Sequence, residues 1–205
     1  MLILIYLFIK GSVDGTIKLL QISGKRVLQS FIHSHPTDVA EGDAATNLET
    51  IAEEDNDNDE MNVEEKATMS VECVGFSSND YKWVASGGMD SNLKIWDVVA
   101  GTCRVTCPHK GGVVALIWHA KYPTVTTSSL DNNVRIWDAR SGSMLVKLSG
   151  HMNNVTSLHG KYCDGATDNN DTSDSSNSND IDVISSVSDD YTTKVFHVHI
   201  KALIS

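Results

Sequence analysis

The sequence predicts an all-β fold of repeated four-stranded blades, a partial β-propeller, and three observations carry that prediction. One phrase of sequence occurs twice. "SGGMDSNLKIWDVVAGT" (86–102) and "SSLDNNVRIWDARSGS" (128–143) superpose Asp90, Lys94, Trp96 and Asp97 on Asp131, Arg135, Trp137 and Asp138 at a constant offset of 41 residues. Two weaker copies flank the pair: "GSVDGTIKLLQI" (11–22) places Asp14 76 residues before Asp90, and "SVSDDYTTKVFHV" (186–198) places Asp190 100 residues after it. The unit also breaks into short β-rich runs, in its third copy "VVALIWH" (113–119), "TVTTSS" (124–129), "NVRIWDA" (133–139) and "SMLVKLS" (143–149). Four such runs separated by Gly, Asn, Asp and Ser, repeated about every 40 residues, are the pattern of propeller blades.

Taken in chain order, residues 1–34 form a partial blade that opens on the apolar run "MLILIYLFI". Nine residues are too few to span a bilayer as a helix, and the run lacks a basic leader and a small-residue cleavage site. Its β-branched and aromatic content predicts a buried strand. Residues 35–107 form a second blade interrupted by an acidic insertion at 38–69, residues 108–149 a third, and residues 150–205 a last blade interrupted by an acidic Ser/Asn/Asp loop at 164–180. The gaps between the Asp landmarks, 76, 41 and 59 residues, exceed the 41-residue unit by 35 and 18, and the surpluses fall at the two insertions. Three full units and part of a fourth are thus three to four blades of a propeller that commonly closes with about seven.

Charge follows the same division. The formal net charge is −11, but Asp38–Lys66 hold twelve acids against one Lys, and Asp164–Asp182 hold six Asp with no base. The remaining 9 acids and 15 bases give the body about +6. Composition predicts that both acidic insertions are disordered: the second lacks apolar residues, and the first, with Leu48, Ile51, Met61 and Val63 scattered among its acids, reads as a solvated loop or as a short acidic segment that orders on a basic partner. No stripe of basic and aromatic residues is visible, which disfavours nucleic acid as a partner.

Four cysteines (Cys73, Cys103, Cys107, Cys163) show neither a CxxC pair nor a disulfide framework. Free thiols suit a reducing compartment, and the expected location is the cytoplasm, extending to the nucleus. Cys103 and Cys107 share a strand face, but four residues separate them by roughly 13 Å, beyond bridging distance.

A His stands four residues before a Val in three units: His35 before Val39, His109 before Val113 and His151 before Val155. With Gly150-His151 and the Trp-Asp pairs at 96–97 and 137–138, this resembles the WD40 repeat family, whose blades begin near Gly-His and end a strand in Trp-Asp. The resemblance implies hydrogen-bonded networks that pin each blade: His35, Ser86, Asp90 and Trp96 in the second unit, His109, Thr127, Asp131 and Trp137 in the third. The fourth would use His151, Ser186 and Asp190, with Phe196 in place of Trp. The first keeps Asp14 but has Lys10 and Leu20 at the other positions, so no network is expected there.

Because these Asp and His residues recur in unit after unit, they read as structural, whereas an enzyme places its acid, base and nucleophile once. There is no GxSxG, HExxH or P-loop. "His-Ser-His" (33–35) and "His-Val-His" (197–199) lack a third ligand at metal-site spacing. The sequence thus predicts no catalytic residue, no cofactor, no metal, no small-molecule substrate and no membrane span.

Wording beyond the generic repeat, "GSVDGTIKL", "SVECVGFS", "WVASGGMDSNLKIWD", "HKGGVVALIW" and "VISSVSDDYTTKVF", is similar to the C-terminal half of the angio-associated migratory cell protein group with its plant and fungal relatives. That resemblance implies a non-catalytic protein-interaction scaffold. Within the group it implies a ribosome-assembly chaperone for a basic large-subunit ribosomal protein. The alternatives are a signalling adaptor related to cell migration, or a truncated fragment with no function of its own.

Overall fold

The structure, a computed structural model, describes residues 7–21, 26–33, 70–78, 82–161 and 182–204. Among these residues fourteen strands form four antiparallel sheets, each with its strands in sequence order. The first sheet holds β1 (Leu7–Gly11), β2 (Thr16–Gln21) and β3 (Arg26–Ile32). The second holds β4 (Val71–Phe76), β5 (Trp83–Gly88), β6 (Asn92–Asp97) and β7 (Thr102–Pro108). The third holds β8 (Val113–Trp118), β9 (Thr124–Ser129), β10 (Val134–Asp138) and β11 (Met144–Leu148). The fourth holds β12 (Val155–Lys161), β13 (Asp182–Ser188) and β14 (Thr193–Val198), followed by a four-residue helix, α1 (Ile200–Leu203). Nothing in the four-strand unit anticipates α1, which sends Ile200 into the core.

The Asp landmarks fix the correspondence between sheets. Each lies in the turn joining β1 to β2, β5 to β6, β9 to β10 or β13 to β14, and the next residue (Gly15, Ser91, Asn132, Tyr191) has φ between +63° and +77°. The amide of that residue bonds back three positions, from Gly15 to Ser12, Ser91 to Gly88, Asn132 to Ser129 and Tyr191 to Ser188. This is a type I turn closed by a left-handed residue, a common three-residue hairpin connection. Each Asp carboxylate then accepts the backbone N–H two residues on: Thr16 on Asp14, Asn92 on Asp90, Asn133 on Asp131 and Thr192 on Asp190.

Apolar alternation along the strands puts the core between sheets. Ile17, Leu19 and Phe31 of the first sheet pack against Val71, Val84 and Trp96 of the second. Ala85, Leu93 and Ile95 meet Trp118, Val125 and Trp137, and Ile136 meets Ile184 and Val198. Sheets approach closely where a small residue permits it: a Cβ built at Gly11 would stand 2.7 Å from Val71, and one at Gly87 2.5 Å from Val113. The first strands lie side by side, β8 packing against both β4 and β12.

The second unit starts elsewhere than the His-to-Val spacing suggests. Val71 pairs with Gly88 as Val113 pairs with Ser129 and Val155 with Ser188, so Val71 holds the place assigned to Val39. Val39 and both insertions, 38–69 and 164–180, lie outside the described residues.

Candidate functional site

The conspicuous polar constellations sit at the Asp-turn end of each sheet. In the second sheet Trp96 Nε1 donates to Ser86 Oγ (2.8 Å), Ser86 Oγ lies 2.7 Å from His33 Nδ1, and His33 Nε2 lies 3.0 Å from Asp90 Oδ1. A consistent assignment sends each proton one way: indole to hydroxyl, hydroxyl to Nδ1, Nε2 to carboxylate. Burial pushes the Asp90 carboxyl up, but hydrogen bonds and charge from His33, with help from Asn92, outweigh it and hold the group below its usual range. The histidine of this relay is His33, not His35, which lies outside the described residues. The reason is geometric: Thr16 pairs with Ile32, and the His33 amide bonds to Gly15 O, which carries the ring onto Ser86 and Asp90.

The third sheet builds a different relay. Trp137 Nε1 donates to Thr127 Oγ1 (3.0 Å), which lies 2.9 Å from His109 Nε2, but Nδ1 turns to the Cys107 carbonyl (3.0 Å). Asp131 is engaged by Arg135, whose guanidinium forks onto both carboxylate oxygens at 3.0 and 2.7 Å. Burial opposes ionisation of Asp131, yet the bonds from Arg135, Asn133 and the Lys110 amide hold its carboxyl well below the usual range. Burial, and then the Arg135 charge, depress His109 to about 4. Lys94 occupies the place of Arg135 in the second sheet and bonds instead to the His33 carbonyl, which leaves Asp90 open to the His33 ring.

In the fourth sheet His151 joins Ser186 (Nε2 to Oγ, 2.8 Å) and Asp190 (Nδ1 to Oδ2, 3.0 Å), and Phe196 contributes no donor. The bond from Thr192, with those from the Met152 amide and His151, holds Asp190 well below the usual carboxylate range. In the first sheet Asp14 accepts from the amide and hydroxyl of Thr16, its own turn.

Two of these sets have the connectivity of a Ser-His-Asp triad, in which an exposed hydroxyl must meet a substrate carbonyl. Ser86 and Ser186 have no exposed surface, and the Ser86 oxygen already accepts the Trp96 N–H. Both sets therefore fasten a loop to a sheet. Among the described residues no group of three His, Cys, Asp or Glu is placed to hold a metal ion, and no helix is long and apolar enough to cross a membrane. Cys73, Cys103 and Cys107 are unbridged, and burial pushes the Cys73 and Cys107 thiols up to about 12.

Features that do not repeat are more informative about function, and two of them are not legible in the repeat pattern. One is His119, whose Nε2 lies 3.2 Å from Asp182 Oδ1 across the junction of the third and fourth sheets, both side chains buried. His119 Nδ1 accepts the amides of Lys121 and Tyr122, so the ring is oriented to hold a turn. The other is the Asp-turn end, where Val13, Met89, Met152 and Tyr191 are exposed, the last two 85% and 100%. Residues 34–69 connect β3 to β4 at this end, whereas residues 162–181 connect β12 to β13 at the opposite end. The two acidic segments are thus anchored at opposite ends of the array. Beside the first strands, Val74, Leu116, Trp118 and His159 line a cleft of about 320 Å³ in which no acid–base pair converges.

Comparison with known proteins agrees with this geometry. The profile of the family described as WD domain, G-beta repeat matches residues 64–97 and 101–138. Angio-associated migratory cell protein of Homo sapiens is 32% identical over 88 residues, 43% of this chain and 20% of the human protein, and that of Canis lupus familiaris matches to the same extent. The matched region thus spans about a fifth of those relatives' length. Sqt1 of Saccharomyces cerevisiae superposes with a TM-score of 0.67 at 15% identity, over 94% of this chain and 42% of that one. The computationally designed protein Ika4 superposes with a TM-score of 0.58 at 20% identity, over 94% of this chain and 86% of its own. Residues 64–97 and 101–138 thus match the WD40 repeat, and the four sheets share the propeller fold of these solved structures.

Proposed function

We propose that the chain is a non-catalytic interaction scaffold that binds a basic protein at its Asp-turn end. The observation that carries this reading is the meeting at one end of two unlike features. Exposed Met89, Met152 and Tyr191 offer apolar anchors, and the segment bearing twelve acids joins the array there. Apolar anchors supply affinity at an interface, while concentrated charge of one sign raises the encounter rate with an oppositely charged partner and rejects like-charged ones. A basic large-subunit ribosomal protein, shielded during assembly, is the specific client proposed, in the cytoplasm and extending to the nucleus.

The test is affinity purification of the tagged chain from cytosol at two salt concentrations, repeated with residues 38–66 replaced by a neutral linker. Recovery of one basic protein that falls away at high salt and with the replacement supports the reading. Binding that survives both changes overturns the role of the acidic segment, and recovery of general chaperones alone overturns the scaffold.

A further inference from the structure

We infer that the turn between β13 and β14 reads one arginine side chain of the basic partner, the guanidinium stacking on the Tyr191 ring while its fork meets the Asp189 carboxylate. This contact rests on a basic partner at the Asp-turn end and supplies its selectivity. The turn occurs four times, so each position has three internal controls. The residue before the Asp is Val13, Met89 or Leu130 in the first three sheets and Asp189 in the fourth. The residue after it is Gly15, Ser91 or Asn132, and then Tyr191. Tyr191 stands at φ +63°, where a bulky side chain is an outlier and Gly or Asn is less strained. Its side chain is fully exposed, so no packing offsets that strain. A strained residue that buries nothing marks a position shaped by something other than folding.

The neighbouring groups say which ligand fits. Asp190 is committed to the sheet: Oδ1 accepts the amide and hydroxyl of Thr192, and Oδ2 meets His151 and the Met152 amide. Asp189 is exposed, its Oδ2 accepts the Asn154 side-chain amide at 3.3 Å, and its Oδ1 has no partner among the described residues. These bonds, with that of the Asp189 amide to Asn154 O, hold the loop entering β12 against the turn. Met152, 85% exposed, therefore leaves the backbone beside Asp190. Its counterpart in the third sheet is Lys110, a base that would repel a cation, whereas a thioether offers soft contact to an aliphatic stem. An exposed aromatic ring next to an available carboxylate matches a cation that is planar and forked. A guanidinium stacks on the ring and donates two N–H groups to the carboxylate, whereas an ammonium is a compact, strongly hydrated point charge.

The experiment is calorimetric titration of the purified full chain with acetylated, amidated hexa-arginine and hexa-lysine peptides. It is repeated on Tyr191→Asn, Tyr191→Phe, Asp189→Asn and the chain with residues 38–66 replaced by a neutral linker. Asn suits the left-handed turn, so binding lost in Tyr191→Asn at an unchanged or higher Tm is not lost through unfolding. The expected result is tighter binding of hexa-arginine than of hexa-lysine. Tyr191→Asn and Asp189→Asn each weaken hexa-arginine about five-fold and remove most of that preference, while Tyr191→Phe, which keeps the ring, binds as the wild type does. Equal affinity of the wild type for the two peptides overturns the inference, as does hexa-arginine affinity unchanged by Tyr191→Asn. If that unchanged affinity falls with the linker replacement, the acidic segment alone holds the partner and the broader reading stands. Absence of hexa-arginine binding to the wild type also overturns the inference, and the affinity purification then decides the broader reading separately.

Discussion

Ser86 and Ser186 occupy the same place in two relays that differ by one donor, and the difference sets a quantitative expectation. Ser86 is fully buried, accepts the Trp96 N–H at 2.8 Å and meets His33 Nδ1 at 2.7 Å. Ser86→Ala strands both partners away from water. An unsatisfied buried donor or acceptor costs about 1–3 kcal/mol, so the loss is about 3 kcal/mol. Ser186→Ala strands only His151 Nε2, because Phe196 offers no N–H, and costs about 1–2 kcal/mol. Urea unfolding followed by circular dichroism measures both, with fluorescence as a local probe, since all four tryptophans lie in the second and third sheets. A double-mutant cycle of Ser86→Ala with Trp96→Phe should show a coupling of about 1 kcal/mol. Equal losses for the two serine variants, or no coupling in the cycle, would refute the relay as the source of the stabilisation and assign it to packing.

Three further outcomes follow from single residues. Tyr191 is fully exposed yet held at φ +63°, so Tyr191→Asn should raise stability by about 1 kcal/mol, read as a higher Tm; an unchanged Tm would mean that the turn relaxes at no cost. Gly142 has φ +74° and a built Cβ only 2.2 Å from Val105 Cγ1, so Gly142→Ala should cost at least about 1–2 kcal/mol in a urea titration, and a neutral result would show that β7 yields freely. Burial and the Arg135 charge hold His109 near 4, below the unfolded value of about 6.5, so on acidification the unfolded chain takes up this proton first. Its contribution is therefore complete above about pH 6.5 and lost as pH falls toward 4, up to about 2 kcal/mol by pH 5 before solvent screening, and His109→Asn should flatten that part of the stability profile.

Much of the fold could be read before the structure because its signals are local. The Asp turn, the alternation Leu93–Ile95 and the 41-residue offset each depend on neighbours in sequence, and together they locate the hairpins. His33 was missed because the His-to-Val spacing favoured His35, although His33 lies 76 residues before His109, the same offset that links Asp14 to Asp90. A long insertion between the histidine and its strand broke the local spacing and left the longer offset intact. The turning of His109 to Cys107 was not readable either, since it depends on whether Lys94 or Arg135 stands at one position and where that side chain ends. Both residues are basic in sequence, but only the guanidinium reaches the Asp131 carboxylate as a fork.

These substitutions bear on how the polar groups at the turn end should be understood. A catalytic histidine needs a fixed partner on each nitrogen, because a changed partner alters the proton it handles. Here the histidine ends its relay on Asp90 in one sheet, on a backbone carbonyl in the next and on Asp190 in the last, and every version still ties a loop to the middle of a strand. What stays constant is that buried donors find acceptors, which is a requirement of folding and not of chemistry. The selective features are instead those the repeat does not demand: Met89, Met152 and Tyr191 at the turn end, and Val187 where its counterparts are Gly or Ser. Each departs from its counterparts at an exposed surface, where departure costs the fold little and leaves the residue free to meet another molecule.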